Sequence, residues 1–224
     1  MDQLIRIINQ RFQNTFMTIA VAGSVSVGKS TFAAGLAQKL SAKTTVISTD
    51  DFLMPNHILK EKKLFDQKGF PETYDLKKLV EVITRFKSGD TSVKIPYYTQ
   101  ELADIHPETM QTIQRPEILI IEGVVALQID QIDFKIYLDA DLTGIKSWYL
   151  ARTLEMTALA KNDPASWRYQ YAQMPIGTFS DLVMKIWDET NQVNLDRFIL
   201  PTKQYADAVV ALDKNHDIKS ITIR

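Results

Sequence analysis

Apolar residues recur at helical spacing in some segments of this chain and form short continuous runs in others. Near the start, Leu4, Ile5, Ile8 and Phe12 are spaced to fall on one side of a helix, so we predict an amphipathic N-terminal helix within residues 1–16. Four later segments carry apolar residues three and four positions apart and are expected to be helical: residues 30–39, 75–88, 141–160 and 178–197.

Runs of β-branched and apolar residues predict strands between these helices: residues 17–22, 44–47, 92–98, 117–123, 134–138, 208–212 and 218–223. The uninterrupted apolar run at residues 118–121 is typical of a central parallel strand. Pro96 favours an edge strand, so residues 92–115 are expected to form a β flap. Residues 152–175 are expected to form a lid region. The alternation of strands and helices predicts an α/β fold: a three-layer αβα sandwich with a mainly parallel central sheet, in a single domain.

A glycine-rich loop separates the first predicted strand from the next helix. Residues 23–30 read GSVSVGKS, which fits the P-loop pattern of P-loop NTPases. The backbone N–H groups of such a loop and the following helix N-terminus attract a phosphate chain. Lys29 is expected to reach the β- and γ-phosphates, and Ser30 to bind Mg²⁺. A glycine turn with a solvated lysine is the alternative. The predicted nucleotide contacts are Gly23, Ser24, Val25, Ser26, Val27, Gly28, Lys29, Ser30 and Thr31.

The charge and composition of the chain indicate which kinds of molecule it is expected to bind. The chain has 224 residues, with 26 basic and 27 acidic side chains and a formal net charge of -1, so no strong attraction for a nucleic acid or an anionic membrane is expected. Cysteine is absent, which excludes disulfides, thiolate metal sites and cysteine nucleophiles. The longest apolar run, residues 118–127, is interrupted by Glu122 and is too short to span a bilayer. We therefore expect a cytoplasmic protein that acts on a small molecule.

Two carboxylates follow predicted strands at the edge of the sheet where ligands bind in open parallel sheets. Asp50 lies at the tip of the second strand and is a candidate general base for a hydroxyl that attacks a phosphate. A turn or helix cap is the alternative for Asp50 and Asp51. Glu122 ends an apolar strand and is a candidate Mg²⁺ ligand through water, with an exposed strand terminus as the alternative.

Two helices carry polar residues on their apolar stripes. Arg152 lies one turn beyond Trp148, on a stripe that includes Leu159, and a guanidinium aimed inward is suited to the transferring γ-phosphate. A buried structural ion pair is the alternative. Asn191 continues a ridge that includes Trp187, so its amide is expected to face a polar cavity, with a satisfied core amide as the alternative. The histidines have no metal-ligand spacing.

Six motifs together resemble the bacterial type I pantothenate kinase family, a branch of the P-loop kinases related to uridine kinase and phosphoribulokinase. They occur in the order of that family and cover the chain from about residue 18 onward. The motifs are GSVSVGKST (23–31), STDDFLMPN (48–56), KGFPETYD (68–75), ILIIEG (118–123), WYLAR (148–152) and ILPT (199–202).

This resemblance implies an ATP- and Mg²⁺-dependent kinase that phosphorylates the primary alcohol of pantothenate, the first step of coenzyme A biosynthesis. It implies a homodimer and gives each candidate a role. Asp50 would be the general base, while Lys29, Ser30 and Arg152 would serve the phosphates and metal. The residues implied to line the acceptor or adenine site are Tyr98, Tyr149 and Asn191 for pantothenate, and Asn215 and His216 for adenine.

The chain also departs from that family. Only 22 residues precede Gly23, where the family has a long helical segment. Six positions where the family pocket is rich in aromatic residues and histidine carry other residues here: Gln100, Ala103, Thr153, Met156, Lys161 and Arg168. These changes alter the acceptor pocket and leave the phosphate machinery intact. The alternatives are a kinase of the same fold for a nucleoside such as uridine or another small alcohol, and a non-catalytic nucleotide-binding regulatory protein.

Overall fold

A computed structural model describes residues 1–13 and 15–224. Within this part of the chain the strands are β1 Met17–Gly23, β2 Thr44–Ser48, β3 Ser92–Thr99, β4 Asp104–Gln114, β5 Ile118–Glu122, β6 Phe134–Asp139, β7 Ala208–Leu212 and β8 Ile218–Ile223. The helices are α1 Asp2–Arg11, α2 Lys29–Lys39, α3 Asn56–Glu61, α4 Leu76–Lys87, α5 Leu142–Ala158, α6 Tyr169–Ala172, α7 Ile176–Ile186 and α8 Gln192–Asn194. None of the described helices combines the length and apolar character needed to cross a bilayer.

The central sheet has the strand order β2-β5-β1-β6-β7-β8. Its first five strands are parallel, and β8 pairs with β7 in the antiparallel direction because a five-residue turn joins them. Val21 and Ser48 both pair with Glu122, which brings the carboxyl ends of β1, β2 and β5 to one edge. The predicted α/β sandwich with a mainly parallel central sheet is confirmed.

Helices cover both faces of this sheet. In β1, Ile19 and Val21 pack into the cluster that contains α1 and α2, whereas Ala20 and Ala22 pack into the cluster that contains α4. This alternation follows from the period of two in a strand, and burial on both sides explains why β1 and β5 are apolar at nearly every position. The three layers therefore form around one sheet.

The segment predicted as a flap forms a separate antiparallel hairpin of β3 and β4. Its base packs against the core, since Val93 and Ile95 are buried with Phe86 of α4. Pro96 lies within this hairpin, as expected for a strand outside the central sheet, and the register shifts between Pro96 and Tyr98. The pairing of β3 with β4 is therefore irregular just before Tyr98.

Several helix boundaries differ from the predictions. The N-terminal helix ends at Arg11, and Asn14 of the predicted 1–16 segment lies outside the described residues. Helix α5 ends at Ala158, so Leu159 is 82% exposed and the prediction that it faces inward is wrong. The predicted 178–197 helix instead begins at Ile176 and continues beyond α7 through wide turns of the π type at Trp187–Asn191 and Leu195–Ile199, which flank α8.

Candidate active site

A cleft with a volume of about 640 Å³ opens at the carboxyl ends of β1, β2 and β5. The P-loop borders it on one side, the β3–β4 hairpin on another, and the segment from α5 to α8 on a third. The predicted residues that line it are Val25, Ser26, Lys29, Ser30, Asp50, Tyr98, Glu122, Tyr149, Arg152 and Asn191. Residues predicted from six separate segments thus surround one cavity.

The P-loop leads directly into α2, whose N-cap is Gly28. The N-terminal end of that helix faces the loop, which is the arrangement that attracts phosphate. Lys29 Nζ donates a hydrogen bond to the Ser24 carbonyl oxygen at 2.8 Å. Burial lowers the pKa of Lys29, while the negative charges of Glu122 and Asp50 oppose this change. A desolvated ammonium group therefore sits beside two carboxylates at the head of the cleft.

Asp50 lies in a short turn, Thr49–Phe52, that follows β2. Ser48 caps this turn by accepting from the Asp50 backbone N–H, so the Asp50 carboxylate does not serve as that cap. Its Oδ1 accepts a hydrogen bond from the Tyr74 hydroxyl at 3.2 Å. Burial raises the pKa of Asp50, and the charge of Lys29 opposes the rise. Such a carboxylate is a stronger base than a fully solvated one, as proton abstraction from an alcohol requires.

The neighbouring Asp51 has a different set of contacts. Its Oδ1 accepts from the backbone N–H of Tyr98 at 3.0 Å and from Gln111 Nε2 at 3.1 Å. Gln111 also donates to the Pro96 carbonyl oxygen at 3.1 Å. Asp51 is 7% exposed, and burial raises its pKa to about 6. Asp51 thus fastens both strands of the hairpin to the tip of β2, whereas Asp50 faces the cleft.

Ser30 and Glu122 lie in direct contact. Ser30 Oγ donates to Glu122 Oε1 at 2.9 Å. Burial raises the pKa of Glu122, whereas the charge of Lys29 opposes it. Across the described residues, no three His, Cys, Asp or Glu side chains form a metal-binding group. A hydroxyl and one carboxylate fit Mg²⁺, because this ion takes few protein ligands and completes its shell with phosphate oxygens and water.

Arg152 lies on α5 and lines the open cleft, where it is exposed, so the alternative of a buried structural ion pair does not apply. In the described part of the chain it forms no ion pair. Its positive charge nevertheless acts on the pKa of both Lys29 and Asp50. Arg152 therefore lies near both Lys29 and Asp50, without a carboxylate partner of its own within the described residues.

Tyr149 and Asn191 line one side of the cleft, and a buried tryptophan packs behind the tyrosine. The Tyr149 ring packs on Trp187 at a centroid distance of 5.1 Å. Burial raises the pKa of Tyr149, and a hydrogen bond with the Asn191 side chain opposes this rise. Asn191 ends the first wide turn after α7, so the turn directs its amide to the tyrosine. Two polar groups suited to bind an acceptor thus lie side by side.

His216 lies against the P-loop from the β7–β8 turn. Its ring stacks on Trp148 at a centroid distance of 3.6 Å, and its Nε2 is 3.4 Å from the Ser26 carbonyl oxygen. A Cβ atom added to Gly28 would lie 3.3 Å from His216 Cδ2. Asn215 is exposed in the same turn. Neither residue lines the 640 Å³ cleft, so both lie at the outer side of the loop.

Comparison with known proteins places the chain in a family. Residues 18–155 match the profile of the Phosphoribulokinase / Uridine kinase family. The chain belongs to this kinase family. It is also 40% identical over 220 residues to the pantothenate kinase of Streptococcus pneumoniae serotype 19F (strain G54), covering 92% of this chain and 72% of that relative.

Solved structures of other kinases share the fold. D-glycerate 3-kinase from Cryptococcus neoformans aligns with a TM-score of 0.68 at 14% identity and covers 100% of this kinase and 98% of that chain. A putative fructose transport system kinase from Silicibacter aligns with a TM-score of 0.62 at 21% identity, and the alignment covers 82% of this kinase and 93% of that chain. At these identities the likeness extends to the fold alone.

The cleft of this kinase also contains residues for which sequence reasoning gave no role. Lys68 Nζ donates to Asn56 Oδ1 at 2.7 Å and also to the Ala103 carbonyl oxygen. Asn194 Nδ2 donates to the Gly69 carbonyl oxygen at 2.8 Å. Further cleft residues outside the predicted site are Asp51, Tyr74, Trp167, Tyr171 and Phe179. The KGFPETYD motif marked Lys68 and Tyr74, whereas the segment around Trp167 has no periodic pattern that could have revealed it.

Four of the six altered positions line the cleft: Gln100, Thr153, Met156 and Arg168. Ala103 instead contributes its carbonyl oxygen to Lys68, and Lys161 is exposed. Rings still line the acceptor side, since Trp167, Tyr171 and Phe179 are among the cleft residues. The pocket of this kinase is therefore polar at several positions and aromatic at others.

Proposed function

We propose that this kinase transfers the γ-phosphate of ATP to the primary alcohol of pantothenate, with Mg²⁺ as the metal. The observation that carries the proposal is that Asp50 and Lys29 share one cleft and act on each other's pKa. A phosphate-binding ammonium and a general base within one cavity suit in-line transfer to an alcohol. The 40% identity to a pantothenate kinase over most of the chain favours pantothenate as that alcohol.

The reaction assigns a task to each polar group of the cleft. Asp50 takes the proton of the acceptor hydroxyl while the hydroxyl oxygen forms a bond to the γ-phosphorus. The bond between this phosphorus and the oxygen that bridges it to the β-phosphate breaks, and ADP leaves. Lys29 and Arg152 balance negative charge on the phosphates. Ser30 and Glu122 would hold Mg²⁺, which supplies charge neutralisation on the phosphate oxygens when bound. Tyr74 orients the Asp50 carboxylate through its hydroxyl.

Asp50→Asn tests the role of the base. The variant keeps the size of the side chain and loses the proton acceptor, so we expect kcat to fall by about 10²–10⁴-fold while ATP binding is retained. Asp75→Asn is the matched control, because Asp75 caps α4 and does not line the cleft. A coupled ADP-release assay and calorimetric titration with ATP measure the two quantities. An Asp50→Asn variant with turnover close to that of the wild type would refute the proposed chemistry.

An acceptor panel tests the substrate. ATP consumption is measured with pantothenate, uridine, cytidine and ribulose phosphate. Turnover with pantothenate alone is the expected result. Turnover with a nucleoside or a sugar phosphate would assign a different acceptor to the same cleft. ATP binding without turnover of any acceptor would favour a regulatory nucleotide-binding protein.

A further inference from the structure

Arg168 brings a cation into the cleft that the phosphate-transfer chemistry does not use. It is half-buried in the segment between α5 and α6 and lines the cavity. Its guanidinium lies over the ring of Trp167, 4.1 Å from the ring centroid, a contact that restricts the guanidinium plane. Across residues 1–13 and 15–224 this guanidinium forms neither an ion pair nor a hydrogen bond. Its five N–H donors are therefore available to a ligand.

Arg168 and Arg152 lie near each other in the cleft but differ in some of their neighbours. The charge of Arg152 acts on the pKa of Lys29 and Asp50, at the phosphate end. The charge of Arg168 acts on Tyr98 of the hairpin, on which Arg152 also acts, and on Tyr149; both tyrosines lie on the acceptor side. Burial lowers the pKa of Arg168, the nearby charge of Arg152 lowers it further, and the two tyrosines oppose this change. A partly desolvated guanidinium without an anion thus lies beside Tyr98 and Tyr149 in the cleft.

The other cations of the cleft are better matched to partners. Lys29 and Arg152 face the phosphates, and Lys68 is held by two neutral oxygens, those of Asn56 and Ala103. The Asp50 carboxylate accepts a hydrogen bond from Tyr74, and the Asp51 carboxylate accepts one from the hairpin. Placing a charge away from water without a partner is unfavourable. Of these four cations, Arg168 is the one with neither a protein oxygen as partner nor a task in the phosphate transfer, so we expect its partner in the acceptor.

We propose that Arg168 binds an anionic group at the non-reacting end of the acceptor, so that this kinase selects alcohols that carry a carboxylate. This inference rests on the proposed function and names a specificity-determining residue for it. A guanidinium binds a carboxylate through two parallel hydrogen bonds, which fixes orientation as well as charge. In pantothenate the carboxylate lies at the opposite end from the primary alcohol, so Arg168 and Asp50 would hold the two ends of one molecule.

The test compares pantothenate with its N-methylamide, which keeps the primary alcohol and lacks the negative charge. In Arg168→Gln we expect kcat/KM for pantothenate to fall about 10- to 100-fold, mainly through KM, because a charge-assisted hydrogen bond is lost. The value for the neutral amide should change less than about twofold, since that acceptor makes no ionic contact. Arg197→Gln is the matched control: Arg197 also lies over a ring, that of Phe198, and does not line the cleft.

Each outcome decides between explanations. An equal loss of kcat with both acceptors and a raised KM for ATP would show that Arg168 serves the phosphates, which overturns the inference and leaves the proposed function intact. Unchanged kinetics with both acceptors would overturn it as well. A wild-type enzyme that phosphorylates only a neutral nucleoside would overturn both proposals. Turnover of ribulose phosphate that falls in Arg168→Gln would keep the anion site and replace the proposed acceptor.

Discussion

Asp51 leads to a prediction about stability, because it is a buried carboxylate with a structural task. It fastens the β3–β4 hairpin through Tyr98 and Gln111. Burial raises its pKa from 3.8 to about 6, and the nearby charge of Asp50 adds to the rise. The ionised form is therefore less favourable in the folded protein than in the unfolded chain, in spite of the hydrogen bonds it accepts.

The sign of the pH dependence follows from this difference. Below the unfolded value of 3.8 the group is protonated in both states, and its contribution to stability is fully present. As the pH rises towards about 6, the unfolded chain loses the proton first, so the folded state loses stability. At about 1.36 kcal/mol per pH unit, the loss amounts to about 3 kcal/mol by neutral pH. For a chain of this size, that corresponds to about 6–12 °C in Tm.

Asp51→Asn removes the titration and keeps an oxygen that can accept from the hairpin. We expect the Tm of the variant minus that of the wild type to increase between pH 4 and pH 6.5 and then to level off. Differential scanning calorimetry across pH 4–7.5 measures this difference. Asp90→Asn is the matched control, because Asp90 forms an exposed pair with Arg85 at 2.7 Å that contributes little to stability. A Tm difference for Asp51→Asn that is constant across this range would refute the reasoning.

Two further predictions concern the phosphate end of the site. Lys29→Met should lower kcat by about 10²–10³-fold and weaken ATP binding, because it removes a charge-stabilising donor. Burial lowers the pKa of Lys29, so the charged ammonium is less favourable in the folded protein than in the unfolded chain, and its removal should not lower Tm. A kinase assay with a thermal melt checks both, and near-normal turnover would contradict the role of Lys29. Gly123→Ala should lower the stability by about 3 kcal/mol, or about 6–12 °C in Tm, because its Cβ would lie 1.8 Å from Thr49 Oγ1 at a φ of +152°. Gly89→Ala is the control for the backbone effect, because Gly89 also has a positive φ, +102°, but a Cβ there meets nothing within 4 Å. Equal losses of stability in the two variants would argue against the steric clash.

The sequence by itself determined the P-loop, the central strand β5 and the order of strands and helices. These features depend on neighbours in the chain: the loop of residues 23–30 contains its own glycines and lysine, and β5 is apolar at each position from Ile118 to Ile121. It also placed Asp50 and Glu122 at strand ends, and parallel pairing brings strand ends together. The family could be recognised from the sequence because its motifs are short and contiguous.

Only the tertiary structure separated the tasks of Asp50 and Asp51. The partners of Asp51 lie 47 and 60 residues further along the chain, so no local pattern marks them. The wide turns after α7 leave no clear signal in the sequence, although the spacing from Trp187 did predict that the Asn191 amide faces a polar cavity. Arg168 lies in a segment without helical or strand spacing, and its place opposite Tyr98 and Tyr149 comes from packing between the hairpin, α5 and the segment that follows α5. Local sequence decides which elements form, whereas contacts between distant segments decide which side chains share a cavity.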